Sequence, residues 1–205
     1  MGLIADYTSL QTELLTMLDS DDLTAQLPLM IQLGEQRIYR DIRCRGMEAT
    51  LNVTMSGGVA TVPSDYVELK EAYITYNSKR YYLERKLTDY INKKYPTQTA
   101  QSRPRMIARE INNFIFGPYP DQNYVLQGTY YKRLPSLTNT LNTNWFTDNA
   151  PDLLFWASLA ESAALIREDN RIPLWESKYQ SAKAIIHKEY KTERISGGPK
   201  RSDAG

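Results

Sequence analysis

One cysteine and one histidine in 205 residues leave little material for the commonest protein chemistries. Cys44 has no second thiol to pair with, so an internal disulfide is excluded, and a reducing site of synthesis is expected. His187 stands among Lys183, Lys188 and Lys191 with no second His or Cys at ligand spacing, which argues against a zinc site. Ser-His-Asp chemistry would need that same His beside a nucleophile elbow, and no such motif occurs. Long apolar runs are missing too: the longest such region, residues 153–166, is broken by Ser158, Glu161 and Ser162. It falls short of the roughly 20 residues that cross a bilayer. Residues 1–10 lack a basic stretch before an apolar one, so no signal peptide is expected, and Asp6 stands where a myristoylation pattern wants Ser or Thr. Twenty-five Lys and Arg against twenty-four Asp and Glu leave a formal charge of +1, so no global field draws the chain to nucleic acid or an anionic membrane. Gly57-Gly58 joins two strand patterns and lacks the helix start and Lys of a phosphate cradle. Asp19, Asp21 and Asp22 lack the oxygen spacing and glycine of a calcium loop and read as helix capping. No enzyme, cofactor or metal is expected.

What is plentiful is tyrosine, at fifteen residues, in a chain whose 41% hydrophobic and 24% charged content is that of an ordinary globular protein. Tyrosine joins a large apolar body to a hydrogen-bonding tip and suits surfaces buried against partners, and it suits strands equally well.

Leu10, Leu14, Leu15 and Leu18 recur at helical spacing after a capping box read at Thr8-Ser9-Leu10-Gln11. Pro28 suits the first turn of a second helix, with Leu29, Met30, Leu33, Ile38 and Ile42 on one face and Gln32, Glu35, Gln36, Arg40 and Arg43 opposite. Alternation over residues 50–55, a Ser56-Gly57-Gly58 turn and residues 59–62 predict a β-hairpin. Residues 69–76, Asn77-Ser78-Lys79 and residues 80–83 predict a second one. A short helix over residues 88–95 is stopped by Pro96; a third hairpin spans residues 105–116, and residues 124–131 form the last strand. The polar loop 132–150 carries Trp145 and Phe146, which pin it to the core. Pro151-Asp152 opens a buried helix. A last helix begins near Pro173, with Leu174, Tyr179, Ala182, Ile185, Ile186 and Tyr190 inward, and ends at Gly197-Gly198-Pro199.

The predicted fold class is therefore α+β: a four-helix core, two helices from each end of the chain, with an inserted antiparallel β domain. Residues 1–46 and 147–195 make the bundle, 47–146 the insert and 196–205 a flexible polar tail. Arg37, Arg40, Arg43 and Arg45 fall near one helical face, where they could touch phosphates; the plainer reading is a solvated face with Glu35 and Asp41 as local partners.

Several segments in order carry a likeness. They include Ala5-Asp6-Tyr7, residues 22–28, Arg37-Ile38-Tyr39-Arg40-Asp41-Ile42-Arg43, Met47-Glu48-Ala49-Thr50 and residues 62–69. Tyr130-Tyr131-Lys132-Arg133-Leu134-Pro135-Ser136-Leu137, Asn142-Thr143-Asn144-Trp145, Pro151-Asp152-Leu153-Leu154 and Trp175-Glu176-Ser177-Lys178-Tyr179 complete it. From about Ala5 to about Tyr190 the chain resembles the head-to-tail adaptor (head completion, connector) proteins of tailed bacteriophages, of the short-tailed type. The resemblance implies a structural virion protein without catalysis, seated at the head-tail junction after assembly in the host cytoplasm. It implies a ring of about twelve copies under the portal, which extends the DNA channel, carries the tail or nozzle protein and touches genomic DNA transiently and without base specificity. Ile195, Lys200 and Arg201 are the expected portal-docking residues; Arg37, Arg40, Arg43, Trp145 and Phe146 are the expected subunit or channel contacts. The rival readings are a nucleic-acid binding module using the helical arginines and, further off, a cell-wall-directed enzyme whose surface tyrosines bind sugars.

Overall fold

In the computed structural model, which describes residues 4–19, 21–97, 99, 101–162 and 170–196, the chain is α+β. It divides into two compact units, Met1–Gly46 with Leu134–Gly205, and Met47–Arg133. Helix α1 (Tyr7–Leu18) starts at Asp6 and not at Thr8: the Asp6 carboxylate accepts from Ser9 N at 2.8 Å, and Asp6 N donates to Ser9 Oγ at 2.9 Å. The box expected two residues later is corrected because Asp6 alone has the extended backbone of a cap, and Ser9 takes the part usually given to Glu or Gln. Tyr7, Leu10, Leu14 and Leu18 form its buried stripe. A 3-10 turn, Asp21–Gln26, leads into α2 (Leu27–Asp41), which buries Leu27, Met30, Ile31, Gly34, Glu35, Ile38 and Tyr39.

The strand unit contains β1 (Glu48–Thr54), β2 (Val59–Thr61), β3 (Tyr66–Tyr76), β4 (Lys79–Tyr82), β5 (Glu84–Arg85), α3 (Thr88–Lys94), β6 (Met106–Glu110), β7 (Asn113–Gly117) and β8 (Val125–Lys132). One sheet has the order β1-β8-β3-β4, and every pairing in it is antiparallel. The other, β2-β7-β6-β5, is mixed, since β5 lies parallel to β6; the insert is thus not wholly antiparallel as expected.

The hairpin expected over residues 50–62 is also corrected. β1 pairs with β8 and β2 with β7, leaving only the isolated bridge Ser56↔Val59 between them. The chain crosses from sheet to sheet at Gly57-Gly58, whose φ angles of 57° and 79° favour glycine, so that Met55 and Ala60 both enter one core. That core joins Leu51, Leu69, Ile74 and Leu126 of the first sheet to Ile107, Phe114 and Phe116 of the second. The β3–β4 hairpin forms as expected, with Asn77 and Ser78 at φ 48° and 60°, the two left-handed positions of the turn best matched to strand twist.

Helix α4 (Trp145–Asn149), unforeseen in the loop, is capped by Asn144 and leads into α5 (Pro151–Ser162); the last helix is α6 (Ile172–Ser196). Helix α5 is buried at Leu153, Leu154, Phe155, Ala157, Ser158, Leu159 and Ser162 and packs against α1, α2, α4 and α6. Its approach to α2 is close: a Cβ on Gly34 would stand 2.7 Å from Ser158 Oγ and 2.8 Å from Ser158 N. On α6 the inward face is Trp175, Tyr179, Ala182 and Ile186; Leu174 and Ile185, expected inside, are 53% and 54% exposed. A buried stripe at 175, 179, 182 and 186 follows the 3.6-residue period, which leaves 174 and 185 on the flanks. The helix end expected at Gly197-Gly198-Pro199 lies outside the described residues.

Candidate functional site

The helical arginines part company. Arg37, half-buried on α2, reaches both neighbouring helices: Nη2 donates to Glu176 Oε1 and Oε2 at 2.7 Å each, and Nη1 to Glu161 Oε1 at 3.2 Å. Its guanidinium lies 4.3 Å from the centre of the Tyr179 ring. Burial works against the Arg37 charge, but the Glu176 hydrogen bond and the surrounding anions more than offset it and hold the cation more firmly. Tyr179 donates to Asp41 Oδ2 at 2.9 Å, and Lys183 donates to the same oxygen at 3.0 Å. Burial, then the Asp41 hydrogen bond, pushes the Tyr179 phenol well above its ordinary value. Burial would raise Asp41, yet Lys183 and Tyr179 hold it below the usual carboxylate range. Glu176 is likewise held low, first by Gln180 and then by Arg37.

Arg43 folds back, Nη1 donating to Tyr39 O at 2.7 Å and Ile42 O at 2.8 Å, while Arg40 is exposed. This cluster ties α2 to α5 and α6 through charge-assisted bonds in a partly desolvated seam.

Glu35, placed on the solvated face by periodicity, is 1% exposed. Its Oε1 accepts from Leu137 N at 3.1 Å and from Asn144 Nδ2 at 3.2 Å, and its Oε2 has no hydrogen-bond partner among the described residues. Burial pushes its carboxyl above the ordinary range, against the opposing pull of the Leu137 amide and the Ser136 and Asn144 side chains. The reason for the misplacement is that residues 134–144 cover this side of α2. Tyr39 OH donates to Leu134 O at 3.2 Å, and Tyr7 N to Asn142 O at 2.7 Å. Glu35 therefore anchors the loop and does not balance the arginines. Phe146 is wholly buried, with Tyr39 at 6.0 Å and Trp145 at 5.4 Å between ring centres; Trp145 is half-buried against Gly46. Ile195 lies in the last turn of α6, and Lys200 and Arg201 fall outside the described residues.

In the strand unit some tyrosines are buried and others exposed. Tyr124 and Tyr130 are buried and donate to Asp121 and Asp65 at 2.8 Å, and burial followed by that hydrogen bond pushes each phenol up to about 12. Tyr76, Tyr82 and Tyr90 are exposed, with Arg80 beside Tyr73 and both Lys86 and Lys94 over Tyr90. A cavity of about 240 Å³ is floored by Leu69, Ile107 and Phe114 and rimmed by Arg85, Lys86 and Arg109. Arg85 is engaged by Leu69 O at 2.6 Å and Lys86 by Glu84 at 2.5 Å, so these cations are structural partners first. The cavity lining holds no carboxylate, histidine or cysteine. Among the described residues no group of three or more His, Cys, Asp or Glu is placed to hold a metal ion, and no helix is long and apolar enough to cross a membrane.

The sequence reading missed the Arg37–Glu161–Glu176 cluster, because its members are 124 and 139 positions apart and no local spacing signals them. No curated protein matches the chain. A sequence model described as SU10 adaptor protein matches residues 5–203, nearly the full length over which the ordered segments and the two units just described extend. The chain belongs to the SU10 adaptor protein family, as a head-to-tail adaptor of the short-tailed phage type.

Proposed function

We propose that the protein forms a ring between portal and tail, extends the DNA channel and offers the tail its attachment platform. The observation that carries this is the family match over residues 5–203. Large exposed apolar side chains on both units agree with it: Leu87 and Ile111 on the strand unit are 79% and 82% exposed, and Leu174 and Ile185 on α6 are more than half exposed. A ring gives each subunit two contacts, each of which excludes water over roughly 1,000 Å² or more if it is specific.

In this reading the copies number about twelve, and residues 1–46 and 147–195 act as a four-helix core built on α1, α2, α5 and α6. Residues 47–146 act as the insert. The tail after Ile195, with Lys200 and Arg201, docks on the portal. Contact with passing DNA is left to exposed arginines such as Arg40, since Arg37 and Arg43 direct guanidinium donors into the helical unit. That placement weakens the nucleic-acid module as a rival, because a phosphate-binding row needs its cations turned outward. The test is the mass of the full-length protein with and without purified portal. Ring-sized multimers on portal are expected, and a chain that stays monomeric and unbound would refute the reading. Deleting residues 196–205 is expected to leave a folded protein that no longer binds portal.

A further inference from the structure

The antiparallel sheet ends in two open edges that match each other. Among the described residues β1 pairs only with β8 and β4 only with β3. Met55 N donates to Tyr124 O at 2.8 Å, so Met55, Val53 and Leu51, two residues apart, are the positions whose backbone groups face β8. Thr50, Asn52 and Thr54 therefore turn their N–H and C=O groups to the open side, and all three are exposed. On the far side, Leu83 N donates to Ala72 O at 2.8 Å, which sets Leu83, Tyr81 and Lys79 toward β3 and leaves Arg80 and Tyr82 facing outward. Outward groups recur every second residue on both strands, and the side chains share one face of the sheet. Asn52, Gln127, Tyr73 and Tyr82 form one row across it; one step along, Thr54 opposes Val125 and Thr75 opposes Arg80.

Direction matches as well as spacing. Four strands that alternate in sense leave β1 and β4 running oppositely, so rotation about an axis along the strands brings the β1 of a second copy antiparallel to β4. Edge protection is uneven: β4 carries Lys79 and Arg80, whereas β1 runs seven residues with no Pro, Gly or Lys and in unbroken register with β8. The outer strands of the other sheet, β2 and β5, are three and two residues long, too short to template much.

We propose that β4 of one copy pairs with β1 of the next, Tyr82 opposite Asn52 and Arg80 opposite Thr54, so that the four-stranded sheets of successive copies join head to tail. This rests on the ring reading and names the contact that builds it. The two positions lie on opposite edges of one sheet, roughly 14 Å apart at ordinary strand spacing, so a short linker cannot join them within a copy. Full-length protein carrying Asn52→Cys and Tyr82→Cys, assembled into rings and treated with a short bismaleimide, is expected to give a ladder of covalent multimers on a denaturing gel. Either single variant is expected to stop at dimers. Rings visible by electron microscopy without that ladder overturn the edge pairing and leave the ring reading standing; a wild-type chain that never multimerises on portal overturns both. Asn52→Pro removes one outward N–H and spares the β8 ladder, so it is expected to fold and fail to assemble where Asn52→Ala assembles. Assembly of the proline variant at the wild-type yield is a second result against the pairing.

Discussion

Glu35 sits where a charged carboxylate is costly, buried on α2 with one oxygen accepting from Leu137 N and Asn144 Nδ2. Its raised pKa fixes the sign of a pH effect. At acid pH both folded and unfolded states hold the proton; as pH rises the unfolded chain ionises first, and the folded state loses stability until the raised folded value is passed. Asp41 and Glu176, held low, act oppositely: their contribution is present above the ordinary carboxylate range and is lost on acidification. Comparison with Glu35→Gln isolates the first effect. Urea denaturation from about pH 4 to about pH 8 is expected to show wild type losing stability relative to the variant, and a flat difference would contradict it. Ile111 makes a second case. A β-branched residue at φ 53° in the β6–β7 turn is strained, and 82% exposure gives it no burial in return. Ile111→Asn is expected to raise stability by about 1 kcal/mol, read in the same denaturation, and to weaken assembly if the side chain is kept for a partner. Neither feature was legible beforehand: Glu35 falls on the polar side of its helix by period, and nothing local says that residues 134–144 cover it.

Elements with strong local signals were readable, and their partners were not. The helical period marked α1, α2, α5 and α6, and Asn77-Ser78 marked the β3–β4 turn, because each depends on neighbours a few residues away. Assigning β1 to β8 and β2 to β7 depends on pairings many residues distant, so a Gly-Gly turn between two strand patterns looked like a hairpin when it is a crossing between sheets. The candidate site shows the same division, since the arginines were visible at helical spacing while the carboxylates that occupy Arg37 were not. Gly128 is where such a long-range pairing is tightest. At φ 156° in the middle of β8, an added Cβ would stand 2.1 Å from Glu71 O on β3. Gly128→Ala is expected to cost more than about 3 kcal/mol, through strain and loss of the β3–β8 ladder, measured by thermal or urea unfolding.

For the whole molecule, the strand unit should stand alone. It has its own core, and its first and last strands close it, β1 pairing with β8 from Glu48↔Tyr131 to Thr54↔Val125. A fragment of residues 47–133 is expected to unfold in one cooperative transition, with coincident circular dichroism and fluorescence midpoints. Loss of cooperativity in the fragment would mean that the helical unit is needed to complete it. The Glu48↔Tyr131 pairing has a mechanical side too, because it brings both covalent crossings between the units to adjacent strands, about 5 Å apart. A load on the strand unit is then shared by two parallel tethers.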